Sequence, residues 1–515
     1  MVESWVIITG IIAAYLIICL LMGFYSYFHM KRMGETRSEF FVCGRSIGFV
    51  VLFLTIVATY HSAFAFLGGA GWFYAKGISF WACGSWCIMT GMITYLWGYR
   101  IYELGKKYNY MSQADLFGDY YESEAVRVLV AIIMLVFVLF YIQVQCMAFG
   151  YIMNVGTGGH ISFEMGVLIM MSVAAIYVFL GGLRAVYWTA ALQGVWMFVS
   201  IWAAGIAIAY KGFGGIGNLF SAVINEKPAL LTLPGPGNIG YAMWFSFLVT
   251  LAFGVCIQPH MFIKYYTAKS GKVLKWLGAL TPVYLILLYV PIALLGLGGA
   301  ILVPGLARPD AVIPTLMVKY MPVWFTGLIL AGGIAATMST MGSMIQVNST
   351  ILARDLYERY RPGKSERHYV WFARGMVPAL FVVAYALTRL NPGYLVYIVT
   401  VAGAGAVQAV PALLGVIYPT KNFKMTKWGA ITGMMVGIIV CVLCLFVWEH
   451  PLGLHAGVWG LIFNIPLTLI VSAFTKPPSE DTIERIHGYL EKVIYKGGMA
   501  EKEGMDEKEG IIHEH

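Results

Sequence analysis

Apolar runs of about 20 residues or more recur along almost the whole chain, each long enough to cross a ~30 Å hydrocarbon core as a helix. Of 515 residues, 60% are hydrophobic and only 11% charged, too little charge to cover a soluble surface. The pattern predicts an all-α polytopic membrane protein with thirteen transmembrane helices. They fall at about 5–28, 47–75, 78–99, 128–155, 161–183, 186–210, 239–259, 276–303, 322–350, 369–390, 393–418, 428–448 and 455–475. The first run has no basic n-region and no small-residue cleavage site, so it reads as a retained span.

Lysine and arginine set the orientation. With the N-terminus outside, the inner loops and their flanks hold 22 of the 34 basic residues, the outer loops six and the C-terminal tail six. The positive-inside rule then places the tail in the cytoplasm of a plasma-membrane protein. The net charge of +9 reflects this bias and implies no partner beyond lipid headgroups, and no nucleic acid. The eight cysteines lie almost entirely within predicted spans. Cys441 and Cys444 form a CxxC with no His or acidic neighbour, which favours packing over metal or redox use. The outer loop 211–238, rich in Gly and Pro, is a candidate cap. The tail, 476–515, offers one amphipathic helix near Asp481 to Tyr495 and then a disordered composition, with no attached catalytic domain and no sign of an obligate protein partner.

His61 reads as the one ionisable residue deep inside a long apolar segment. Such a residue marks a water-lined cavity, an ion path or a substrate site. Its surroundings, Thr55 and the run Thr59-Tyr60-His61-Ser62, interrupt span two, and Gly68-Gly69-Ala70-Gly71 follows. Span seven is interrupted too, by Gly254 and by Gln258-Pro259-His260. Two interrupted spans five apart are the pattern of transporters built from inverted repeats, in which unwound backbone lines the site; an ordinary kink is the alternative. Span nine carries Ser339 and Thr340, whose neighbouring hydroxyls suit a hard cation such as Na⁺ when joined by carbonyls. Back-bonding to the preceding turn, or gluing of helices, is the alternative for this pair.

These residues carry a resemblance. Gly44-Arg45-Ser46-Ile47-Gly48, Ala58-Thr59-Tyr60-His61-Ser62, Phe179-Leu180-Gly181-Gly182-Leu183-Arg184-Ala185, Gln258-Pro259-His260, Met338-Ser339-Thr340 and Ala353-Arg354-Asp355-Leu356-Tyr357 resemble the sodium:solute symporter family, in order over about 5–475. The resemblance implies a leucine-transporter-like fold. Residues 1–46 would hold the first helix and an inner loop, 47–210 the first repeat of five helices, and 239–418 the inverted second repeat. The outer loop 211–238 would lie between the repeats, with spans twelve and thirteen in 419–475 and the tail from 476 to 515. It implies a Na⁺ site made of the carbonyls of Ala58, His61 and Ala336 with the hydroxyls of Ser339 and Thr340. Members with a further sodium-linked carboxylate carry Asp where this chain has Ala190, and proline permease has one at the position of Tyr60; neither exists here, so one sodium site is expected. Leu251 and Val255 replace a Trp and a Tyr of proline permease, which argues against proline.

The run from Ala58 to Gly69 is similar to the pantothenate branch, and Gly405 to Leu414 to bacterial monocarboxylate permeases; both branches carry carboxylates. A small anion would lie against free amides at the positive end of the outer half of span two. Candidate lining residues are Tyr60, His61, Phe64, Tyr141, Gln143, Gln145 and Gln408, each with core filling or helix glue as its alternative. The expected function is Na⁺-coupled symport of a small carboxylate by alternating access, with Na⁺ as the coupling ion. The competing readings are proton coupling through His61, for a carboxylate or an amino acid, and a transporter-like sensor or channel. No intramembrane acid/base pair or metal cluster suggests an enzyme.

Overall fold

The computed structural model describes residues 3–33, 36–236, 239–390, 395–420 and 423–496, and these are helical almost throughout. The disordered composition read for the end of the tail falls on residues 497–515, outside those described. Among the described residues nine helices are long and apolar enough to cross a bilayer, and eleven if each of two bent pairs counts as one span. The predicted fifth and sixth spans run together as Phe163–Phe213, divided where Gly182 takes φ 55°, ψ −150° against Phe40. The third is a succession of short α, 3₁₀ and π segments from Gly77 to Tyr108.

The two bent pairs are spans two and seven. Span two runs Phe49–Tyr60, breaks at His61-Ser62 and resumes at Phe64 with a bend of 47°. Span seven runs Tyr241–Ile257 and Pro259–Thr267 with a bend of 50°. Proline explains the second break: it disfavours the helical region for the residue before it, and Gln258 takes ψ 142°. The glycines expected to help break these spans act otherwise. A Cβ on Gly254 would lie 2.4 Å from the Gly403 carbonyl, and one on Gly71 would lie 2.8 Å from the Asp310 amide. They let spans seven and two pack closely against their neighbours inside intact helix.

Span nine, Val323–Thr350, is the most enclosed span, buried along nearly its whole length. It packs on the long helix of spans five and six, on span four (Glu124–Gly156) and on the inner half of span two. The loop between spans six and seven holds two short helices, Ile216–Glu226 and Pro228–Leu231, with Lys227 Nζ on the Ala300 carbonyl at 2.7 Å. At the opposite end of the bundle Asp115 receives Arg127 at 2.7 Å and Arg354 at 2.9 Å, joining the segment before span four to the end of span nine. The tail helix, Glu480 to Lys496, docks there through a bidentate pair of Arg485 with Asp119 at 2.8 and 2.9 Å.

Candidate functional site

Where span two breaks, Phe49–Tyr60 ends in carbonyls to which no further turn donates. Span nine brings two hydroxyls to them. Ser339 Oγ lies 2.9 Å from the Ala58 carbonyl and 3.1 Å from that of Ala336. Thr340 Oγ1 lies 3.1 Å from the Thr59 carbonyl, 3.4 Å from Ala336 and 3.5 Å from Ala58. Oxygens at such separations can share one hard cation, which takes oxygen ligands at roughly 2.3–2.6 Å in the case of Ca²⁺. Four of the five residues expected at the ion site thus converge, and the Thr59 carbonyl joins them. His61 follows at the break itself, with φ −92° and ψ 61°. Among the described residues no group of three or more His, Cys, Asp or Glu could hold a metal, and the oxygens gathered at this break are all neutral.

The start of the outer half of span two is occupied by neighbours. Gln145 Oε1 accepts from the Ala63 amide at 3.1 Å, and Ser62 Oγ accepts from the Phe64 amide at 3.1 Å. Tyr141 shares a 2.8 Å hydrogen bond with Ser62, and its ring meets His260 edge-on at 5.9 Å, linking span four to both breaks. Tyr60 lies against Trp86 and reaches the Cys256 thiol, while Phe64 packs on Phe80. The His61 ring turns toward Tyr284 and Tyr289 of span eight, and neither nitrogen has a hydrogen-bond partner among the described residues. Gln143 instead donates to the Leu387 carbonyl on span ten. Gln408 donates to Gly457 and receives from Asn464, both on span thirteen. These two amides therefore tie spans together, away from the cluster at the breaks.

Two side chains absent from the expected set belong beside it. Gln258 and His260, at the break of span seven, are fully buried with every side-chain polar atom unpartnered among the described residues. Lys264 corrects the reading of His61 as the one deeply placed ionisable residue. It counts as an inner-loop cation by position, yet it is fully buried, with Nζ on the Thr59 hydroxyl and 3.3 Å from the Thr55 carbonyl. The break at Pro259 makes residues 259–267 a second half-helix, and its packing puts that half-helix in the protein interior.

Broken helices that aim backbone oxygens at paired hydroxyls inside a bundle define a cation-coupled secondary transporter. The fold matches a solved Na⁺-coupled sialic acid symporter, described in a substrate-bound outward-open state, with TM-score 0.77 at 17% identity, over 92% of this chain and 98% of that one. The chain is 27% identical to the sodium/pantothenate symporter of Escherichia coli strain K12, covering 92% of this chain and 97% of that protein. It is 26% identical to the high-affinity proline transporter PutP of Bacillus subtilis strain 168, covering 91% and 98%. Residues 40–437 match the sodium:solute symporter family, and the chain belongs to it. It is an integral, multi-pass membrane protein that couples solute transport to Na⁺.

Proposed function

We propose that the cargo is a small carboxylate, monocarboxylate or pantothenate-like, moved inward with one Na⁺ by alternating access. The observation that carries this reading is the pair of amides at Ala63 and Phe64. They open the outer half of span two and are satisfied only by the neutral oxygens of Gln145 and Ser62. A carboxylate displaces neutral acceptors from such amides because charge-assisted hydrogen bonds are roughly twice as strong, and the helix N-terminus favours the anion. Tyr141 and Gln145 are the nearest of the proposed lining residues; Tyr60, His61 and Phe64 would close the site, with Gln143 and Gln408 bracing the spans around it. The similarity to a sodium/pantothenate symporter supports the class.

Na⁺ would sit between the carbonyls of Ala58, His61 and Ala336 and the hydroxyls of Ser339 and Thr340. Its arrival from outside joins span two to span nine, stiffens the break and completes the anion site one turn away. The rest of the architecture follows the same reading: thirteen spans, inverted repeats over 47–210 and 239–418, the N-terminus outside and the tail in the cytoplasm. Uptake into proteoliposomes, screened across acetate, lactate, pyruvate, pantothenate and amino acids under imposed Na⁺ or H⁺ gradients, tests it. Na⁺-driven uptake of a carboxylate is the expected result. Uptake driven by H⁺ alone would favour the second reading, proton coupling through the unpartnered imidazole of His61.

A further inference from the structure

Lys264 is a buried basic side chain with no carboxylate partner among the described residues. Its Nζ donates to the Thr59 hydroxyl and to the Thr55 carbonyl at 3.3 Å, and lies 3.8 Å from the Met261 sulfur. The Thr59 hydroxyl has already given its own hydrogen to that Thr55 carbonyl, at 2.7 Å. In each of these three contacts among the described residues Nζ is the donor. Three acceptors match the three N–H groups of an ammonium, whereas a neutral amine would turn its lone pair on acceptors alone.

The carboxylates on the elements packed around this half-helix are committed elsewhere. Glu39 pairs with Arg184, Asp115 with Arg127 and Arg354, Asp119 with Arg485, and Glu103 accepts from Tyr489. Span six offers no charge at this level either. The Thr55 hydroxyl is 3.1 Å from the Tyr187 carbonyl and Gly194 lies against Leu54 and Ala58, so Ala190 falls on the same helical face between them.

What balances the ammonium is the C-terminal end of the inner half of span two, whose last carbonyls carry the negative pole of that helix. One turn further on, the Ala58 and Thr59 carbonyls of the same end meet Ser339 and Thr340. Lys264 and the proposed Na⁺ site thus draw on a single helix terminus.

We propose that Lys264 is a tethered cation that weakens Na⁺ binding: it repels the ion, holds the helix end when the ion departs, and so favours Na⁺ release. The proposal rests on the Na⁺ site described above. Because Lys264 rides on span seven and its two oxygen acceptors, at Thr55 and Thr59, on span two, the competition also ties the relative position of the two broken helices to the state of the ion site.

Equilibrium binding of radioactive Na⁺ to the purified full-length protein, without substrate, tests it. Lys264→Met should lower the half-saturating Na⁺ concentration on the order of tenfold, within the range usual for coupled sites. Lys264→Arg, which keeps the charge, should stay within about threefold of the parent protein. An unchanged or raised constant in a folded Lys264→Met protein overturns the proposal. If that variant does not fold, Lys264→Gln, which keeps donors for Thr55 and Thr59, takes its place with the same expected direction. Na⁺ binding that survives Ser339→Ala with Thr340→Ala overturns the site assignment instead, a result distinct from failure of the Lys264 variants.

Discussion

Ser339 gives its hydroxyl hydrogen to the carbonyl of Ala58 at 2.9 Å, across 281 positions of sequence. The same two oxygens are proposed to face Na⁺, so the ion would replace a hydrogen bond with a stronger tie between spans two and nine. Ser339→Ala with Thr340→Ala removes two of five ligands and should raise the half-saturating Na⁺ concentration for uptake by more than about tenfold, roughly 1.4 kcal/mol per decade. Maximal uptake at saturating Na⁺ should fall much less. An unchanged Na⁺ constant would place the ion elsewhere.

Tyr141 bonds to Ser62, which in turn holds the Phe64 amide, so its hydroxyl supports the proposed anion site at one remove. Tyr141→Phe keeps the ring against His260 and deletes one hydrogen bond, an effect of about 0.5–1.5 kcal/mol, or about 2- to 12-fold. The loss should appear in KM for the carboxylate, with the Na⁺ constant moved less. Initial rates of uptake across a matrix of both concentrations separate the two.

The breaks were legible because their causes are local: proline after Gln258, and a polar run from Thr59 to Ser62 in the middle of an apolar stretch. The hydroxyl pair at 339 and 340 was legible through family likeness, since a Ser–Thr step alone is equally suited to back-bonding. Lys264 was not legible. It lies five residues past the proline and shortly before Lys269, Lys272 and Lys275, so position alone assigns it to the inner loop. Only the packing of one half-helix against the other shows it to be interior. The bond of Gln408 was not legible for a related reason: its partner Asn464 lies 56 residues away on span thirteen.

His61 separates backbone from side chain. Its carbonyl belongs to the proposed ion site, a task any residue performs. Its imidazole faces Tyr284 and Tyr289, without a hydrogen-bond partner among the described residues. His61→Met preserves bulk and burial, so Na⁺ dependence should survive while substrate affinity or the pH response of uptake changes. Loss of Na⁺ dependence in this variant would instead make the ring part of the ion site.

Asp115 ties the segment before span four to the end of span nine. Burial by itself would raise its carboxyl, but Arg354 and Arg127, aided by the Met111 amide, outweigh that and hold it below the usual carboxylate range. With the folded value depressed, the stabilisation is fully present above the unfolded value of ~3.9 and is lost as pH falls through the folded one. Thermal stability in detergent should therefore not change through this group between about pH 5 and 8. Asp115→Asn leaves two arginines without their carboxylate and should destabilise by about 3–5 kcal/mol, the range for breaking a buried pair. A Tm equal to that of the parent protein would show the cluster to be dispensable.

The docked tail carries its own pH dependence. His487 Nε2 lies 3.2 and 3.1 Å from the Gly415 and Val416 carbonyls, and its Nδ1 lies 3.4 Å from Lys424 Nζ. That arrangement suits a neutral ring, which donates from Nε2 and accepts at Nδ1. Burial, and then the charge of Lys424, push the imidazole down to about 4. An undocked tail would take up a proton near the ordinary ~6.5, so docking is fully favoured above that value and weakens as pH falls toward the lower one. Hydrogen exchange of residues 480–496, corrected for its intrinsic pH dependence, should show protection falling between pH 7 and 5. In His487→Phe, which keeps a ring against Tyr120 but cannot titrate, the pH dependence should disappear. Protection that is constant with pH in the parent protein would mean that Arg485 with Asp119, and Glu122 with Thr482, hold the tail unaided.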